Sequence, residues 1–164
     1  MMRISNKLST VISLCLTLIL LAALCVLAVW LPMVVDSMID VTDNIGNRGE
    51  ITNPERVFVL ADAYVMVAVA FVAVILLFFL LRAVLLERIF TESATRLIAS
   101  ISWCCFAECL ILLGGGVGFY KVFIIPRAFL VVAFVAAFLG IVLRVVKNVI
   151  EEATAIKSEN DFTI

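Results

Sequence analysis

Four apolar runs, 11–31, 57–81, 97–117 and 128–146, alternate along the chain with three short charged stretches. About 20 apolar residues in an α-helix match the ~30 Å hydrocarbon layer of a bilayer. The pattern therefore predicts an all-α integral membrane protein of four antiparallel transmembrane helices. Links this short force chain neighbours to pack, so a loose up-and-down bundle is expected. It forms one domain over 1–164, with a polar tail at 147–164.

The boundaries carry their own signals. Arg3 and Lys7 precede the first run as in a signal peptide, but such a peptide has an apolar core of only about 7–15 residues. An uncleaved first span is expected, closed on its far side by Trp30 and Pro32. Within the polar stretch from Asp36 to Arg56, residues 44–49 read as turn and loop, and Asn53-Pro54-Glu55 as a helix start with Asn53 as N-cap. Leu85, Leu86, Ile89 and Phe90 keep helical spacing, predicting that the second helix runs on along the interface before it breaks. Thr91, followed by Glu92, is the expected N-cap of the third helix.

Composition agrees with this reading and excludes several functions. The 164 residues are 65% hydrophobic and 15% charged, against roughly 45–50% and 25% for a soluble domain. A net charge of −1 supplies no basic stripe, so no direct nucleic-acid partner is expected. All five cysteines (Cys15, Cys25, Cys104, Cys105, Cys109) lie inside apolar runs, which argues against a disulfide framework. Histidine is absent, removing the commonest general base and a common metal ligand. Without a nucleophile–base pair the chain is expected to be non-enzymatic, with no cofactor and no metal.

Orientation follows from basic residues in the short links. With the N-terminus inside, Arg3, Lys7, Arg82, Arg88, Arg96, Arg144, Lys147 and Lys157 lie on the inner side and Arg48, Arg56, Lys121 and Arg127 outside, eight against four. Both termini are expected in the cytoplasm, in a cell (inner) membrane.

Glu108 is the side chain with the largest energetic consequence, because it falls near the middle of the third run. A central acid costs about 2.5–3.5 kcal/mol to insert, while Leu, Ile, Phe and Val each return roughly 0.3–0.6. The run holds nine such residues, so insertion is favourable by a narrow margin and the acid must face other helices. Desolvation favours its neutral form. The favoured reading is a protonated acid bonded to Ser102 or to a backbone carbonyl of a neighbouring helix. The alternative is a proton or cation site.

Asp62 is expected to hydrate from the outer interface or to contact Arg56 or Arg127, at a different depth from Glu108. Cys104, Cys105 and Cys109 surround Glu108 but read as small core hydrophobes rather than a metal set. Gly114 and Gly118 form a small-xxx-small step for close helix packing, with Gly115 and Gly116 loosening the helix end. Asp36, Asp40 and Asp43 share a face if the first helix continues past Pro32, and a solvated charged face is preferred over a weak calcium site.

The chain closes on Glu159-Asn160-Asp161-Phe162-Thr163-Ile164. This ending resembles the Glu/Asp-Asn-Asp-Leu-Thr-Ile close of the bacterial membrane proteins grouped as domain-of-unknown-function family 2975. Ile89-Phe90-Thr91-Glu92 and Ile101-Ser102-Trp103 are similar too, as are length and layout. Phe162 stands where Leu is usual, and Ser93-Ala94 where an acid–asparagine step is typical. The resemblance implies no activity. Members are often encoded beside a small helix-turn-helix regulator, which implies a cytoplasmic protein partner for the tail or the middle link.

The expected role is a sensing or interaction partner whose only surfaces outside the lipid bilayer are the outer loop, the 82–96 link and the tail. The alternative is a small proton- or cation-coupled transporter or channel subunit using Glu108. That alternative implies a homo-oligomer, because four helices enclose little volume.

Overall fold

The computed structural model describes residues 2–45, 52–87, 90–118 and 126–161, with side chains placed over 8–41, 52–87, 90–115 and 130–156. Four helices account for nearly all of them: α1 (Met2–Ile45), α2 (Asn53–Leu85), α3 (Glu92–Gly118) and α4 (Pro126–Asp161). All four are long and apolar enough to cross a membrane. Large apolar side chains such as Val29, Leu110 and Phe134 stand exposed. A helix apolar on every side needs lipid or protein around it, so this is a multi-pass membrane protein.

Each helix outruns its apolar core. Backbone hydrogen bonding continues into polar sequence wherever no residue forbids it, and hydropathy alone does not mark that limit. The clearest case is Pro32, which lies inside α1 instead of closing it. Proline removes one backbone donor and crowds the preceding turn, but a membrane helix tolerates it when neighbours restore the packing. Here the restoring contact is visible. Leu31, Val35 and Ile39, one turn apart and buried, pack against Val59 of α2, with Leu60, Ala63 and Val67 beside them. The seam continues unbroken past the proline.

α2 begins one residue earlier than expected. Thr52, not Asn53, occupies the cap position, and the Glu55 carboxylate accepts from both the Thr52 N–H (2.9 Å) and its hydroxyl (2.8 Å). This reciprocal use of an acid in the first turn satisfies a donor that the helix itself cannot. At the other end α2 stops at Leu85 rather than running along the interface. Glu87 takes a left-handed φ of 58°, which ends the helix. Of the four apolar residues whose spacing suggested an extension, Ile89 lies outside the described residues. Thr91 caps α3 as expected, its carbonyl accepting from the Ala94 and Thr95 amides at 3.0 and 3.3 Å.

Among the described residues, helix contacts run between chain neighbours: α1 with α2, α2 with α3, and α3 with α4. Among the described residues α1 and α4 do not touch, so the up-and-down order is an open row rather than a closed bundle. α3 is flanked on two sides, and this explains why Ala94, Ile98, Ile101, Ser102 and Leu112 are among the most buried side chains.

Candidate functional site

The buried face of α3 repeats at heptad-like spacing, through Ala94, Ile98, Ile101 and Leu112. Glu108 sits four residues before Leu112 and seven after Ile101, on that same stripe. The helix therefore turns this acid towards α2 and not towards lipid. Its carboxyl group reaches the backbone of Ala70 on α2. Oε1 of Glu108 is buried without a hydrogen-bond partner among the described residues.

The favoured partner from sequence, Ser102, is not available. Its hydroxyl donates instead to the carbonyl oxygen of Gly140 on α4, at 2.8 Å, in a fully buried contact. Ser102 and Glu108 are six residues apart and point from α3 to different neighbours, one to α4 and one to α2.

A crevice of about 450 Å³ between α2 and α3 is lined by Val65, Ala68, Val69, Val72, Trp103, Cys104 and Ala107. Asp62 lies one turn before Val65 on α2, and Glu108 directly follows Ala107 on α3. Antiparallel helices bring a residue early in α2 level with one late in α3. Arg56, one of the partners expected for Asp62, is engaged elsewhere: its guanidinium lies 3.7 Å from each of Asp36 and Asp40 on α1. Arg127, the other, falls outside the described side chains.

Asp36 and Asp40 do share a face of a continuous α1, and that face meets Arg56 rather than water alone. The side chain of Asp43 lies outside the described residues. Cys104, Cys105 and Cys109 are free and half-buried. Among the described residues no three His, Cys, Asp or Glu side chains gather as a metal-binding group.

The close helix approach that the described residues show is at Gly140 on α4. Among the described residues a Cβ at Gly114 would meet nothing within 4 Å, and Gly118 lies outside the described side chains. At Gly140 a Cβ would stand 3.1 Å from Cε1 and Cζ of the Phe106 ring. Gly140 thus lets α4 approach α3 and accept the Ser102 bond. One turn further along α4 the Arg144 guanidinium carbon sits 4.8 Å from the centroid of the Trp103 ring, a cation–π contact. The sequence did hold a signal for this seam: Gly140 is the lone glycine of an otherwise apolar fourth run.

The proposed tail site lies mostly beyond description. α4 is helical through Glu159, Asn160 and Asp161, while Phe162, Thr163 and Ile164 fall outside the described residues.

The sequence model of a family described as "Protein of unknown function (DUF2975)" matches residues 41–164, from the end of α1 through α4 and the tail. No curated protein and no solved structure matches the chain.

Proposed function

The chain belongs to the DUF2975 family, whose function is unknown, and on that premise we propose that it is a non-enzymatic bacterial inner-membrane protein that senses or signals by holding a cytoplasmic regulator, such as a small helix-turn-helix protein, on its C-terminal arm. The observation that supports this is the length of α4. It continues as helix to Asp161, fifteen residues beyond the apolar run that ends at Val146. At 1.5 Å per residue this projects about 22 Å.

The arm has two unlike faces. Lys147 and Glu151 pair at 2.9 Å on one side. Val149 and Ile156, both more than half exposed, share the opposite side with Glu152. An apolar stripe on a projecting helix is the form that partner grooves accept, with side chains at one-turn spacing as anchors. Both termini are cytoplasmic in this reading, so the arm meets soluble proteins.

The test is co-purification from native membranes of the chain with a genomically neighbouring helix-turn-helix protein. Deleting Glu159–Ile164, or exchanging Val149 and Ile156 for Asp, is expected to abolish it while membrane insertion is retained. Undiminished co-purification removes the proposal.

One observation favours a second reading, a small proton- or cation-coupled transporter or channel subunit. Oε1 of Glu108, without a hydrogen-bond partner among the described residues, is a buried acceptor that a proton or cation would satisfy. In reconstituted vesicles Glu108→Gln then abolishes proton-linked flux. Flux that survives the exchange rejects it.

A further inference from the structure

A second recess lies where α2 ends and α3 begins, and nothing above makes use of it. Its volume is about 630 Å³, and its lining mixes charge, hydroxyl and hydrocarbon: Arg82, Arg96, Ser93, Phe79, Leu86 and Leu97. Arg82 directly follows the second apolar run and Arg96 directly precedes the third. Both guanidinium groups therefore sit at the depth where lipid headgroups lie, with Phe79 and Leu97 on the hydrocarbon side of them.

The local electrostatics favour an anion. Arg82 forms no ion pair among the described residues. Arg96 donates from one nitrogen to Glu92, at 2.6 Å, in a pair more than three-quarters exposed on both sides. Such an exposed pair contributes little, typically under about 1 kcal/mol, and it leaves the other donors of the guanidinium fork unused. Ser93 lies in the first turn of α3, where backbone amides have no partner in the helix and the helix dipole is positive. Glu87 and Glu92 are the acids near this recess, and Glu92 is turned to Arg96.

We propose that this recess binds the phosphate of an anionic phospholipid from the leaflet it faces, gripped by Arg82 from α2 and Arg96 from α3, with the acyl chains lying along Phe79 and Leu97. The two-helix grip matters because guanidinium forks match phosphate oxygens bidentately. Basic pockets between spans at a membrane surface recognise headgroups in this way. A lipid held there also ties the end of α2 to the start of α3 across the Glu87 turn.

The experiment uses the full chain in detergent with phosphatidylglycerol or phosphatidylcholine added, reading bound lipid by native mass spectrometry. Phosphatidylglycerol is expected to stay bound to the wild type, and the Arg82→Gln/Arg96→Gln double variant to retain roughly tenfold less. Arg56→Gln, which removes an equal charge at the far end of α2, leaves retention unchanged. Ser93→Glu preserves folding, since an acid suits a first helical turn, and it too lowers retention by repelling the phosphate. Millimolar inorganic phosphate displaces little of the lipid. Equal retention of both lipids, equal loss in Arg56→Gln, undiminished retention in the double variant and in Ser93→Glu, or full displacement by inorganic phosphate would each overturn the proposal.

Discussion

Ser102 on α3 donates its hydroxyl proton to the carbonyl oxygen of Gly140 on α4 across 2.8 Å, and the absence of a side chain at Gly140 makes that distance attainable. The bond and the close approach depend on each other, because the Phe106 ring already lies 3.1 Å from where a Cβ at 140 would stand. Gly140→Leu is expected to push α3 and α4 apart and to cost about 1–3 kcal/mol, the usual penalty of overpacking. Thermal unfolding in detergent reads the loss. Adding Phe106→Ala restores part of it, and a double variant no better than Gly140→Leu alone would show that the Phe106 contact is not the cause.

Ser102→Ala tests the hydrogen bond without the steric clash. Interhelical side-chain bonds in membranes contribute on average about 0.6 kcal/mol, reaching about 1.7. The Gly140 carbonyl keeps its own bond within α4, so the lower value is expected here. Ser102→Val should cost more, since Ser102 is 0% exposed and has no room for an added methyl. Both variants lose the bond, so their difference reports fit alone, and an Ala variant less stable than the Val variant would show that position 102 has room to spare.

The number and position of spans could be read from the four apolar runs, because crossing hydrocarbon imposes a length that composition cannot hide. Thr91 at the cap position was equally legible, since a hydroxyl residue before an acid favours a helix start there, and its carbonyl accepts the first bonds of α3. The helix limits were not. Pro32 invites a helix end, and only the Leu31–Val35–Ile39 seam against α2 shows why α1 passes through it. Gly114 and Gly140 could not be ranked from sequence, because whether a small residue matters is decided by what stands opposite. Among the described residues nothing stands opposite 114, and an aromatic ring stands opposite 140. Glu108 was singled out by its cost, and the direction it faces follows from the α3 stripe. Its meeting with the Ala70 backbone required the register of two antiparallel helices, which no single helix pattern contains.

At the α1–α2 contact two interactions compete for importance. The Arg56 pairs with Asp36 and Asp40 are 3.7 Å long between partly exposed groups, which limits them to under about 1 kcal/mol. Ile39 is 1% exposed at the same end of the seam. Ile39→Ala is expected to cost about 2 kcal/mol, the lower end for a buried aliphatic truncation, because lipid around separated helices removes part of the transfer term. Arg56→Gln should cost less and lose its effect in high salt. Cysteine pairs reporting α1–α2 proximity in both variants check the ranking.

Glu108→Gln keeps size and shape while removing the ionisable group. Oε1 of Glu108 accepts no hydrogen bond from the described residues, so little native stabilisation depends on the charge, and a carboxylate in this setting carries a desolvation cost. The unfolding midpoint of the Gln variant is expected to match or exceed that of the wild type. A clear fall would mean that the carboxylate is held by an ionic partner. In that case its place on the α2-facing stripe serves stability rather than proton or cation binding.

Topology is the prediction on which the partner reading depends. Even-numbered spans return the chain to its starting side, and the eight-to-four distribution of basic residues predicts that this side faces the cytoplasm. Single cysteines placed at Glu87 and at Glu152 should then react with an impermeant reagent only after the membrane is opened, while one placed at Thr52 reacts from outside. The Glu87 position tests the turn between α2 and α3, and Glu152 tests the arm that α4 extends towards a partner. Labelling of Glu152→Cys from outside would put the arm on the wrong side for a cytoplasmic regulator. The same result, with Glu87→Cys still protected, would require one helix not to cross, and the long apolar faces of all four argue against that.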